Sequence, residues 1–114
     1  MIETRLGEFE EVVLLLVGIL GENAYAFRLA EEFKAQTGRA VSIGATHSAL
    51  DRLEGKGFLT SKTSGPTAER GGRSKRIYSL TASGKRVLRE ARDFRVALWK
   101  QFPAMSGGLN FSIA

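Results

Sequence analysis

The sequence predicts a small, mainly helical α+β domain of 114 residues. Apolar residues recur at helical spacing up to Gly57, alternate as in strands over 58–63 and 76–80, and then return to helical spacing. The length suits one domain with a thin core. Cysteine is absent and histidine occurs once, which excludes disulfides, thiolate metal sites and multi-histidine metal centres.

The first helix is predicted over residues 6–20, with Gly21 as its stop. Its apolar positions recur every three or four residues: Phe9, Val12, Val13, Leu16, Ile19 and Leu20. The unbroken apolar run 12–17 indicates burial on more than one face, and a second subunit could cover the second face. The apolar stretch 12–20 is far shorter than the roughly 20 residues of a membrane span, and no basic signal segment precedes it. We therefore expect a cytoplasmic protein without a membrane segment.

Two further helices follow. Asn23 is predicted to cap the second, which extends to Gln36 before Gly38, and Ser42 is predicted to cap the third, which extends to Lys56. The inner stripe of the third helix is predicted to be Ile43, Thr46, Leu50 and Leu53. Its other faces carry small or polar side chains that allow close approach to a grooved surface: Ala45, His47, Ser48, Asp51 and Arg52.

The two predicted strands enclose a loop rich in Gly, Pro and Arg, so they form a hairpin with a long basic tip. Residues 1–36 carry a net charge of −4 and residues 37–114 a net charge of +9. The densest basic run is 70–76, with Arg70, Arg73, Lys75 and Arg76. This basic run is either a solubilising loop or part of a face that binds an anionic partner. The asymmetry of charge along the chain favours an anionic partner.

Thr81 is predicted to cap a fourth helix, which Pro103 ends. Val87, Ala91, Phe94 and Leu98 are spaced by four, three and four residues, with Leu88 and Trp99 beside them. This apolar stripe of the fourth helix either packs on its own chain or joins two subunits. We predict that it joins two subunits, because the body already has three helices and a hairpin. The predicted organisation is a domain of three helices and a hairpin over 1–80, a dimerisation helix over 81–103 and a disordered tail over 104–114.

Three helices followed by a basic hairpin is the order of a winged helix-turn-helix. In that arrangement the third helix lies in the major groove of double-stranded DNA and the hairpin, or wing, follows the phosphates. The third helix, at about 22 Å, is long enough to cross a groove about 12 Å wide.

Segments 42–57 (SIGATHSALDRLEGKG) and 65–81 (GPTAERGGRSKRIYSLT) resemble the PadR family of bacterial transcriptional regulators, as do LGEFEE at 6–11 and NAY at 23–25. The resemblance covers about residues 5–100. It implies a dimer formed through the short C-terminal helix and a cavity at the dimer interface for flat aromatic compounds. Phe94 and Trp99 are candidates for that cavity, the alternative being plain packing. The family usually has a Tyr where this chain has His47, which is either a phosphate donor or an ordinary surface residue.

The predicted sites follow from the helices, the wing and this resemblance. The residues predicted to contact DNA are Ser42, Ala45, Thr46, His47, Ser48, Arg52, Lys62, Arg70, Arg73, Lys75 and Arg76. The residues predicted to form the dimer interface are Phe9, Val13, Val87, Leu88, Ala91, Phe94, Leu98 and Trp99.

The predicted function is a dimeric transcriptional repressor that occludes a palindromic operator and is relieved by a small aromatic effector. The alternative is a winged-helix module that binds proteins rather than DNA. We expect no cofactor and no enzyme activity, because no nucleophile and base can be paired from these residues.

Overall fold

The computed structural model describes residues 6–64 and 74–103, and it confirms the predicted mainly helical α+β class. The elements in chain order are α1 (Glu8–Leu20), a 3₁₀ turn (Gly21–Asn23), α2 (Ala26–Thr37), α3 (Ile43–Gly55), β1 (Leu59–Thr63), β2 (Arg76–Leu80) and α4 (Ala82–Gln101). The predictions for Arg70, for Arg73 and for the tail 104–114 lie outside the described residues.

Side-chain caps begin two of the helices. The hydroxyl of Ser42 accepts a hydrogen bond from the amide of Ala45, and that of Thr81 accepts one from the amide of Gly84, each at 3.0 Å, so both predicted caps are confirmed. The predicted cap Asn23 is wrong. The chain continues from α1 into the 3₁₀ turn that contains Asn23, and α2 begins only after Tyr25, whose backbone is extended.

The core lies between the first three helices and the hairpin. Its most deeply buried side chains include Leu14, Leu29, Leu50 and Leu53. On α3, Ala49 joins the predicted inner stripe, whereas Ile43 is 41% exposed and was wrongly assigned to it. Ile43 is the first residue of α3, and it lines an open groove against α2 instead of facing the core.

The two strands form an antiparallel hairpin with a register from Leu59 opposite Leu80 to Thr63 opposite Arg76. Its second strand is also tied to the body, because the amide of Tyr78 donates to the carbonyl of Ala24 at 2.9 Å. Tyr78 is buried, so the base of the hairpin belongs to the core. The direction of the wing is therefore set by the helical body.

Helix α4 packs most deeply on the body in its first half, where Gly84 and Val87 are buried. Beyond Val96, α4 is exposed, with Leu98 48% and Trp99 44% exposed. Among the helices in the described ranges, none is long and apolar enough to cross a bilayer.

Candidate nucleic-acid interface

The N-terminal half of α3 presents a face of short side chains. Ser42, Ala45, His47 and Ser48 are all exposed there, as predicted for a surface that approaches a groove closely. Thr46 does not belong to this face. It is only 2% exposed and its hydroxyl donates to the carbonyl of Ser42 at 2.9 Å, so its predicted place at the margin of the DNA contact is corrected.

The C-terminal half of α3 is directed toward α1. The Nε of Arg52 donates to one carboxylate oxygen of Glu10 at 2.9 Å, and the Nζ of Lys56 donates to the other at 3.2 Å. The Arg52 side chain is 53% exposed, but this hydrogen bond draws it away from the short-residue face. The sequence does not reveal the pairing, because the partners are far apart along the chain.

Glu10 is one of only two buried polar or charged residues in the described ranges. Burial by itself would raise the pKa of its carboxyl, but hydrogen bonds from Arg52, the Gly7 amide and Lys56 outweigh burial, so the pKa lies below its ordinary value of 4.5. The hydrogen bond from Gly7 is the return half of a capping box, in which the third helical residue satisfies the amide of the N-cap.

Three predicted wing cations lie in the described residues, and all are exposed. Lys62 is opposite Ile77, whereas Arg76 shares a face with the buried Tyr78, so Lys62 and Arg76 lie on opposite faces of the hairpin. The Nζ of Lys75 lies 4.2 Å from the ring centroid of Tyr25, a cation–π contact with the body.

A hydrogen-bond chain joins the wing to α3. The guanidinium of Arg76 donates to the hydroxyl of Ser61 at 3.0 Å, and that hydroxyl donates to the carboxylate of Glu54 at 2.8 Å. The C-terminal end of α3 is thus linked by hydrogen bonds to both strands of the hairpin.

Much of the positive charge lies on α4 and was missed. Six cations are spread along this helix against two acids, a count that was readable from the sequence: Lys85, Arg86, Arg89, Arg92, Arg95 and Lys100. The guanidinium of Arg95 donates to the carboxylate of Glu11 on α1 at 2.8 Å.

A groove of about 570 Å³ runs between α1 and α4, and it has apolar and basic residues along it: Leu15, Lys85, Leu88, Arg89, Arg92, Arg95, Val96 and Trp99, with Glu11 at one side.

The predicted dimer residues fall into two groups. Phe94, Leu98 and Trp99 are exposed and Leu88 and Ala91 are partly buried, so these five retain surface for a partner. Val13 and Val87 are 3% and 7% exposed in the core, so the predictions for these two residues are corrected, because their apolar surface is covered within the chain. Phe9 is partly buried, like Leu88, and its ring packs edge-to-face on Phe33 with centroids 5.3 Å apart.

The structure also exposes apolar residues that are not among the eight predicted for the dimer interface. Leu15 and Ile19 on α1 are 46% and 64% exposed, and Phe102 is 55% exposed with its ring edge-to-face on Trp99. Trp99 lines the groove between α1 and α4, but Phe94 does not. Five residues along a helix place these two side chains about 140° apart, so one chain does not bring them into one pocket.

The fold and sequence match known regulators. The family model described as Transcriptional regulator PadR-like family matches residues 15–90. A PadR-like transcription factor from Bacteroides fragilis has 24% identity and a TM-score of 0.71, with 87% of this chain and 90% of that chain covered. A PadR family transcriptional regulator from Eggerthella lenta DSM 2243 has 26% identity and a TM-score of 0.62, covering 82% and 81%. No curated protein matches significantly.

Proposed function

Since the chain belongs to the PadR-like family of transcriptional regulators, we propose that it acts as a homodimer that binds double-stranded DNA and represses transcription by occluding a palindromic operator. The family consists of transcriptional regulators, not enzymes. In this proposal the region 1–80 binds DNA, and α4 within 81–103 pairs the subunits. Two-fold symmetry of the protein then requires two-fold symmetry of the operator.

The observation that carries DNA binding is the exposed face of α3 beside a cationic wing. Helix α3 has 13 residues and is about 20 Å long, enough to lie in a major groove about 12 Å wide. The short side chains of Ser42, Ala45 and Ser48 would allow the backbone of α3 close to base edges, and in this proposal the exposed His47 donates to a phosphate or base. The wing cations, including Arg70 and Arg73, supply affinity that does not depend on sequence.

Salt dependence tests DNA binding. We expect the full chain to bind DNA fragments selected from a random pool, measured by fluorescence anisotropy at several salt concentrations. Arg73→Ala should weaken binding to all sequences and reduce the salt slope by about 1, whereas Lys100→Ala, at the far end of α4, should leave the slope unchanged. An unchanged slope for Arg73→Ala contradicts the phosphate contact. Absent or salt-independent binding by the natural chain favours a protein-binding module.

Exposed apolar residues on the second half of α4 support the dimer. Leu98 and Trp99, with Leu15 on α1, are 48%, 44% and 46% exposed, so each keeps apolar surface toward solvent. We expect analytical ultracentrifugation to show a dimer that Leu98→Glu converts to a monomer. Ala82→Glu, at the exposed first residue of the same helix, should remain dimeric. A dimer that persists in Leu98→Glu would contradict pairing through α4.

Effector binding is proposed for the groove between α1 and α4. Its apolar side chains suit a flat aromatic body, and Trp99, the only tryptophan in the chain, lines it. A bound aromatic compound should quench the fluorescence of Trp99 and weaken DNA binding at the same concentrations. Quenching without an effect on DNA affinity would contradict relief of repression by the ligand.

A further inference from the structure

Two adjacent glutamates of α1 hold two different helices. The carboxylate of Glu10 accepts hydrogen bonds from Arg52 at 2.9 Å and Lys56 at 3.2 Å, both on α3. The carboxylate of Glu11 accepts one from Arg95 on α4 at 2.8 Å. Successive residues of a helix point about 100° apart, so neighbouring positions can reach helices on different sides of α1.

Ordinary surface ion pairs contribute little. These contacts differ on the acidic side, although the side chains of Arg52 and Arg95 are 53% and 58% exposed. The side chains of Glu10 and Glu11 are only 11% and 17% exposed. Glu10 also accepts the amide of Gly7 at 3.2 Å, so its two oxygens have three donors and a fixed orientation. A carboxylate with this many partners resists displacement by solvent more than an exposed pair does.

We propose that Glu10 and Glu11 are positioning residues that together fix the angle between α3 and α4 across α1. This inference rests on the proposed function, in which α3 reads DNA and α4 pairs the subunits. The two α3 helices of a dimer must meet half-sites about 34–36 Å apart, or a multiple of that distance. A change in the angle between α3 and α4 changes that separation. The pair of contacts through Glu10 and Glu11, which we call the bridge, therefore sets the spacing of half-sites that the dimer prefers.

The test compares DNA duplexes that differ only in half-site spacing. The full chain is titrated against its selected DNA and against the same DNA with one base pair inserted or removed between the half-sites. The readout is the ratio of the affinities for native and altered spacing. We expect Glu10→Gln and Glu11→Gln each to reduce this ratio about threefold or more, the range of coupling in a shared network. Glu8→Gln, an exposed acid in the same turn, should leave it unchanged.

The double variant separates a bridge from two independent ion pairs. In a bridge, breaking either link releases α3 from α4, so Glu10→Gln with Glu11→Gln should reduce the ratio no further than the larger single effect. Independent contributions would multiply, and that result would overturn the proposal. If packing of the helices alone fixed the angle between α3 and α4, both single variants would show the same ratio as Glu8→Gln. That result would also overturn the proposal.

Arg95→Met tests the same link from its exposed end, without replacing a buried side chain. The Arg95 side chain is 58% exposed, so its replacement should leave the fold intact if Glu10→Gln unfolds the chain. The matched control is Arg86→Met, since Arg86 is an exposed cation of the same helix that does not line the groove between α1 and α4. We expect Arg95→Met to reduce the ratio and Arg86→Met to preserve it; equal ratios overturn the proposal. Failure of the natural chain to bind DNA would instead refute the proposed function itself.

Discussion

Gly84 lies where the first turn of α4 meets the segment between α3 and β1, and its replacement by alanine tests how α4 is held. A Cβ at this position would overlap the carbonyl oxygen of Phe58 and lie 3.3 Å from Cδ2 of Leu80. The obstructing atom belongs to the backbone, so no side-chain rotation can relieve the overlap. The same carbonyl accepts the amide of Thr81 at 3.1 Å.

The magnitude follows from the two ways in which the chain can respond. If α4 stays in place, overpacking costs about 1–3 kcal/mol. If α4 moves away, Thr81 loses its hydrogen bonds to Phe58 and to the carbonyl of Gly57, at about 1 kcal/mol each. The higher helix propensity of alanine than of glycine offsets at most about 1 kcal/mol of this loss. Gly84→Ala should therefore destabilise the fold by about 1–2 kcal/mol.

Gly55→Ala is the matched control. Gly55 is the exposed last residue of α3, and nothing lies within 4 Å of its added Cβ. At one protein concentration, we expect Gly84→Ala to lower the melting temperature by roughly 4–16 °C and Gly55→Ala to leave it unchanged or raise it. Circular dichroism measures both. A Gly84→Ala protein as stable as the natural chain would refute the packing of α4 described above.

Three other predictions concern pH and the wing. Glu10 has a lowered pKa, so its contribution to stability is present above its ordinary pKa of 4.5 and is lost as pH falls through the folded value. In urea unfolding, Glu10→Gln should differ from the natural chain at neutral pH and converge with it in acid, whereas a pH-independent difference would contradict this. Burial first, and then nearby carboxylates, raise the pKa of Tyr78, so stability should fall as pH rises above about 10, and Tyr78→Phe should remove that loss. Lys75→Met should lose the cation–π contact with Tyr25 and destabilise the fold by about 0.5–1 kcal/mol, with Lys62→Met as the unaffected control.

Local chemistry explains which parts of the fold were predictable. The caps Ser42 and Thr81 could be read directly, because a capping hydroxyl bonds within three residues of itself. The strand 76–80 followed from alternation. Asn23 was misplaced because a cap residue gives no indication that a 3₁₀ turn will extend the preceding helix through it.

The candidate site was predictable only where it depends on one element. The exposed face of α3 follows from its own periodicity, but the direction of Arg52 depends on Glu10, 42 positions earlier in the chain. Val13 and Val87 were assigned to an interface because apolar periodicity shows that a face is buried, not what buries it. Only the packing of α1, α2 and the hairpin decides that question.

The hydrogen bond from the amide of Tyr78 to Ala24 connects parts of the chain that are distant in sequence. That amide can exchange with solvent deuterium only when the hairpin separates from the helical body, so its exchange should report large-scale opening. The amide of Ser64 donates to Lys75 at the outer end of the same hairpin, so its exchange should report local fraying. Native-state hydrogen exchange at these two amides would therefore show whether the wing opens independently of the body or only together with it.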